Sequence, residues 1–179
     1  PFEWLQEYEP KIIQQKKNED DASFLVRLQT KVKEKQEYFI SGLIEPCNDE
    51  GNEWHRVSDD IIKRDLIVID YDDIDTDTAT FIEQVKNALP NTALLFYPSL
   101  RYTVEKPRMR VVIEPSRALV GYEYEIIGLE IAKKIGLPYD PSFIKWTQVQ
   151  GLPVITPLNK EQPLLVIDGE KYPIPNIIE

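Results

Sequence analysis

Asp65-Leu66-Ile67-Val68-Ile69-Asp70-Tyr71-Asp72-Asp73 is the stretch on which the fold turns. A short apolar run, rich in β-branched residues, leads straight into two carboxylates spaced i, i+2. A run of that length and composition reads as a buried strand. Side chains alternate faces along a strand, so Asp70 and Asp72 point the same way. Two carboxylates side by side repel each other unless a cation lies between them. Hard divalent ions such as Mg²⁺ and Mn²⁺ take oxygen ligands and suit such a pair. The plain alternative is a solvated acidic strand end.

Charge is uneven on either side of this strand. Eight Asp (59, 60, 65, 70, 72, 73, 75 and 77) fall between Asp59 and Asp77, against Lys63 and Arg64. Between Arg101 and Arg117 the balance reverses: Arg101, Lys106, Arg108, Arg110 and Arg117 stand against Glu105 and Glu114. An acidic strand end beside a basic hairpin can hold a metal and a phosphate together. It can equally pair with itself in salt bridges. Asp73, Asp75 and Asp77 imitate the start of a calcium loop, but Thr78 and Gln84 stand where Gly and a bidentate Glu are required.

Further outward, periodicity predicts helices within residues 1–37, interrupted at Lys16–Asp21, with a second helix over about 22–36. Tyr38–Ile40 opens a strand and Pro46–Asn52 a loop. Leu66–Asp70 is the expected central strand. Asp77 or Thr78 caps a helix whose buried face is Phe81, Ile82, Val85 and Leu89. Thr92–Tyr97 and Met109–Ile113 are strands joined by a polar turn. Tyr124, Ile127, Ile131 and Ile135 stripe a helix that stops at Gly136. Short strands are expected at Phe143–Trp146 and Val154-Ile155, and a hairpin at Leu164–Ile174 around Asp168-Gly169. The order predicts an α+β fold: an RRM-like sheet with helices packed on it and N-terminal flanking helices.

The 179 residues suit one domain with a real core. Apolar content of 42% and charged content of 29% are those of a soluble globular chain. No apolar run is long enough to span a membrane. A net charge of −10 argues against nonspecific coating of nucleic acid. The single Cys47 fits a reducing cytoplasm, and one His with one Cys excludes a zinc site made mainly of those residues. The chain begins at Pro1 and its only methionine is Met109, so a piece of a longer polypeptide is expected. His55 reads as a loop histidine. Trp4, Trp54 and Trp146 read as core or edge residues rather than base-stacking platforms.

Three features occur in a fixed order: the strand ending Asp70-x-Asp72, the hairpin Leu95–Thr103 followed by Pro107–Ile113, and Gly136–Ser142 followed by Thr147–Pro153. Residues 65–155 resemble the archaeo-eukaryotic primase superfamily, in the branch found in replication proteins of phages, plasmids and genomic islands. The resemblance implies a primase-polymerase palm. Asp70 and Asp72 would match the metal-binding acidic pair and Asp140 the third acidic residue, with Mg²⁺ or Mn²⁺ as cofactor. Ser99, Arg101 and Gln148 fall at nucleotide contacts, and Arg108 and Arg110 share a strand face from which they could hold phosphates. The implied partners are a single-stranded DNA template, nucleoside triphosphates, and a helicase region in the same polypeptide or complex. The implied setting is the cytoplasm of a bacterial host. One departure stands out. The family's hairpin usually carries Ser-x-His, whereas this chain has Ser99-Leu100-Arg101-Tyr102. Arg101 or Tyr102 is left to take over phosphate binding.

Two other functions compete. A decayed palm would serve DNA binding or assembly without catalysis. A phosphatase would use Asp70 as nucleophile, Asp72 as acid and Ser99 as the phosphate-binding hydroxyl. A single-strand-nicking initiator needs paired histidines and is rejected.

Overall fold

Continuous apolar strands need cover on both faces, and this chain supplies it from two directions. The computed structural model describes residues 1–176. In chain order the elements are α1 (Phe2–Glu7), β1 (Lys11–Ile12), α2 (Asp21–Arg27), β2 (Tyr38–Phe39), β3 (Leu43–Ile44), β4 (Ile61–Lys63) and β5 (Ile67–Tyr71). There follow α3 (Thr78–Ala88), β6 (Leu94–Pro98), β7 (Met109–Ile113), α4 (Gly121–Ile135), β8 (Gln150–Gly151), β9 (Val154–Ile155) and β10 (Leu165–Ile167). A π turn at Leu28–Val32 and a 3-10 turn at Lys33–Lys35 continue α2.

The main sheet has the order β10-β6-β7-β5, and every neighbouring pair is antiparallel. Strands β5 and β6, joined through α3, therefore lie on either side of β7, which is the split β-α-β core of an RRM-like sheet. The fold class is α+β, as the sequence predicts. Strand β5 is at the sheet edge rather than its centre. It is nonetheless buried at every position, because both of its faces are covered. Ile67, Ile69 and Tyr71 join the cluster formed with Phe81 and Val85 of α3 and Ile131 and Ile135 of α4. Leu66 and Val68 face the other way, onto Phe2, Leu5, Leu95, Tyr97, Val112 and Leu152.

Helices α3 and α4 follow their sequence signals closely. The Asp77 carboxylate accepts the Thr80 amide at 2.7 Å and starts α3. Phe81, Ile82, Val85 and Leu89 are all buried. Gly136 ends α4 at φ 72°, a left-handed position that costs glycine little.

Three expectations fail locally. The first helix stops at Glu7, and Lys11–Ile12 is extended and pairs in parallel with Val154–Ile155. Pro10 explains this, since it donates no backbone hydrogen bond and disfavours helix at the residue before it. Phe143 lies in a 3-10 turn (Pro141–Ile144) rather than a strand, because Pro141 and the capping carboxylate of Asp140 favour a helical start. The hairpin around Asp168-Gly169 does not form. Strand β10 pairs with β6 instead, while Glu170 and Tyr172 bridge in parallel to Thr92 and Pro115. Among the described residues no helix is long and apolar enough to cross a membrane.

Candidate active site

The carboxylates sit on the sheet face that α3 and α4 leave uncovered. Alternation along β5 places Asp70 on the same face as Leu66 and Val68. Asp70 stands opposite Arg110 on β7. Arg110 Nε donates to Asp70 Oδ1 at 2.6 Å, with the two side chains 16% and 12% exposed. Two residues on, Arg108 pairs with Asp72 at 2.9 Å. The self-pairing foreseen from the uneven charge is therefore present.

Arg110 is held from three sides. Its Nη1 donates to the Gly151 carbonyl at 3.1 Å, and its guanidinium lies 5.7 Å from the Tyr97 ring centroid. Burial works against its charge, but Asp70 and Tyr97 beside it more than offset that and raise its pKa. Burial in turn pushes the Tyr97 hydroxyl up to about 12, and this hydroxyl also donates to Gly151 at 3.1 Å. A Cβ at Gly151 would fall 2.4 Å from the Gln36 side-chain nitrogen, so the end of Gln36 would have to shift to admit one.

The sequence-predicted residues converge on one cleft of about 200 Å³. Asp70, Asp72, Ser99, Arg101, Arg108, Arg110, Asp140 and Gln148 all line it. The Asp140 amide donates to the Asp70 carbonyl at 2.8 Å, which fixes it beside the strand end. Its own carboxylate accepts the Ser142 amide at 2.9 Å, so it also has the turn role its sequence context offers. Gln148 is held in place by its neighbours. Arg64 donates to the Trp146 carbonyl and Arg56 to the Thr147 carbonyl, each at 2.7 Å.

Arg101 has a distinct status. Among the described residues no ion pair or hydrogen bond engages its guanidinium, and burial and the like charge of Arg108 both act against its charge. Tyr102 is committed elsewhere: it is buried, and its hydroxyl meets Thr78 Oγ1 at 2.8 Å. Of Arg101 and Tyr102, only Arg101 lines the cleft.

Sequence reasoning missed a third wall. Gln29, Lys33, Gln36 and Tyr38 also line the cleft. They come from the N-terminal helical segment and β2, far in sequence from the acidic strand.

Asp70 and Asp72 offer hard oxygens on one face, each with one oxygen still unpaired by its arginine. That fits an ion such as Mg²⁺, which keeps several waters and takes one or two carboxylates together with substrate phosphates. The three cleft aspartates do not bring their oxygens within 4.8 Å of one another. Among the described residues only the exposed Cys47, Glu53 and His55 do so. These three donors, on a loop, fall short of the four ligands of a structural zinc site.

The fold is similar to that of the archaeo-eukaryotic primase (AEP) domain of a Cyanophage S-2L primase-polymerase, at 12% identity and a TM-score of 0.51, covering 83% of this chain and 71% of that one. The chain belongs to the VapE N-terminal domain family, whose model matches residues 16–145. No curated protein matches the chain. The family and fold accord with the resemblance read from the three sequence features.

Proposed function

We propose that the chain is a primase-polymerase domain that joins nucleotides on a single-stranded DNA template, as part of a longer mobile-element replication protein. The observation that carries this reading is the single cleft that gathers paired carboxylates and four cations on an AEP-type fold. Lys33, Arg101, Arg108 and Arg110 outnumber Asp70, Asp72 and Asp140 there, in a chain of net charge −10. Such a local excess favours a polyphosphate.

Asp70 and Asp72 would hold Mg²⁺ or Mn²⁺, with Asp140 close by. The ion would offset charge on the attacking and leaving oxygens. Arg101 meets the phosphates first, being uncommitted. Arg108 and Arg110, paired with those carboxylates, would stand beside the ion and could donate to phosphate oxygens there. The Ser99 hydroxyl and Gln148 amide supply neutral hydrogen bonds at the same wall. A helicase region elsewhere in the protein or complex, and a bacterial cytoplasm, belong to this proposal.

The second reading is a decayed palm. It is favoured by the self-neutralised pairs and by arginine in place of histidine at position 101. A de novo primer-synthesis assay on single-stranded DNA separates the two. Metal-dependent products that vanish in Asp70→Asn/Asp72→Asn support the enzyme. Nucleotide binding without any product, from this chain and from the longest parent protein, supports the decayed palm.

A further inference from the structure

The helical segment 21–35 has two sides, and only one belongs to the cleft. The π turn followed by a 3-10 turn changes the helical register. Gln29 and Lys33 face the cleft, while Lys31 and Lys35 face a separate groove of about 330 Å³. Lys11, Lys16 and Arg27 complete the basic rim of that groove, and Glu37 is its only carboxylate. Lys11 is tied to Glu37 at 2.6 Å and Arg27 to Glu19 at 2.8 Å. Lys16, Lys31 and Lys35 have no side-chain partner among the described residues. Ile13, Val32, Leu152 and Val154 form an apolar floor, with Tyr8 at the edge.

A groove with free lysines along its rim, an apolar floor and one aromatic ring at its edge suits a single strand: phosphates on the rim, base faces against the floor and the ring. Gln36 lines both groove and cleft, and its amide donates to the Leu152 carbonyl at 3.2 Å. Gln36 is the residue common to both linings. We infer that this groove is a track for single-stranded nucleic acid, leading past Gln36 to the cleft. The direction of the track rests on the nucleotide-joining reading of the cleft; the binding does not.

The test is fluorescence anisotropy of a labelled twelve-residue oligothymidylate with the whole chain, across a salt series. The comparison protein is Lys31→Gln/Lys35→Gln, checked for folding by circular dichroism. Nucleoside triphosphate binding, read by calorimetry, is the control. Each lost phosphate contact lowers the salt slope by about 0.7, so the double variant should lose about 1.4 in slope and about 25-fold in affinity at 0.1 M salt. Its triphosphate affinity should stay within twofold of wild type. Four results would overturn the inference. The double variant could bind the oligonucleotide as tightly as wild type, which leaves the cleft reading standing. It could lose triphosphate binding in parallel, which moves the effect into the cleft. Wild type could bind no oligonucleotide at all. Polyglutamate could compete as well as the oligonucleotide, which makes the groove a dock for an acidic peptide.

Discussion

Replacing Asp70 with alanine should weaken the fold as well as the site. Arg110 donates to Asp70 at 2.6 Å, and both side chains are mostly shielded from water. Removing one partner of a fully buried pair costs about 3–5 kcal/mol, because the other charge is stranded. A lost charge-assisted hydrogen bond alone costs about 1.5–3 kcal/mol. Arg110 keeps its bond to Gly151 and its place over Tyr97, and its 16% exposure lets water reach it. The lower part of the range therefore applies, about 2–3 kcal/mol, or roughly 5–10 °C in Tm for a chain of this size. Asp70→Asn keeps an oxygen for Arg110 Nε and should lose only about 1 kcal/mol. Asp70→Ala/Arg110→Met removes both charges and should recover much of the loss, a coupling of at least about 1.5 kcal/mol. Urea denaturation of wild type, these three variants and the Arg110→Met single variant, five proteins in all, measures all of this. The reasoning fails if Asp70→Ala lies within about 0.5 kcal/mol of wild type, or if the two single losses simply add. The practical consequence is that asparagine is the cleaner substitution for testing chemistry.

Other perturbations have different readouts. Ile69 is fully buried on the sheet face away from the cleft, so Ile69→Ala should cost about 2–5 kcal/mol in denaturant yet leave nucleotide affinity intact at low temperature. Gly42 sits at φ 126°, and a Cβ there would fall 1.8 Å from the Lys63 carbonyl oxygen, so Gly42→Ala should destabilise by more than about 1 kcal/mol. The Arg27 guanidinium and the Lys16 amide hold the Glu19 carboxyl down at about 2, against an ordinary 4.5. A depressed carboxylate contributes stability that is complete above about pH 4.5 and is lost as pH falls toward 2. Urea midpoints of wild type and Glu19→Gln should therefore differ at pH 7 and converge by pH 2.

The sequence was most legible where local and long-range preferences agreed. Asp77, Phe81, Val85 and Gly136 each carried a cap, a face or a stop that the tertiary structure kept. The cleft was partly legible because strand alternation fixes Asp70 with Asp72, and Arg108 with Arg110, before any packing is known. Partners across the sheet were not legible. That Asp70 meets Arg110 depends on the β5–β7 register, which the hairpin turn alone does not set. Edge placement of β5 was hidden because an edge strand covered on both faces has the same apolar run as a central one. Residues 29–38 were missed because their role depends on a chain reversal that brings β2 against β8. The failed hairpin at Asp168-Gly169 shows tertiary override: Gly169 packs so closely on the Thr92-Ala93 backbone that the turn serves β6 instead.

The central claim is that the Asp70/Asp72 carboxylates and the cleft arginines together form a metal–triphosphate site. Calorimetric titration of a deoxynucleoside triphosphate, with and without Mn²⁺, tests it most directly. The expected result is binding that requires Mn²⁺, disappears in Asp70→Asn/Asp72→Asn, and weakens at least tenfold in Arg101→Ala, the loss of one charge-assisted contact worth about 1.5 kcal/mol or more. Binding that is indifferent to Mn²⁺ and survives in the double asparagine variant would contradict it.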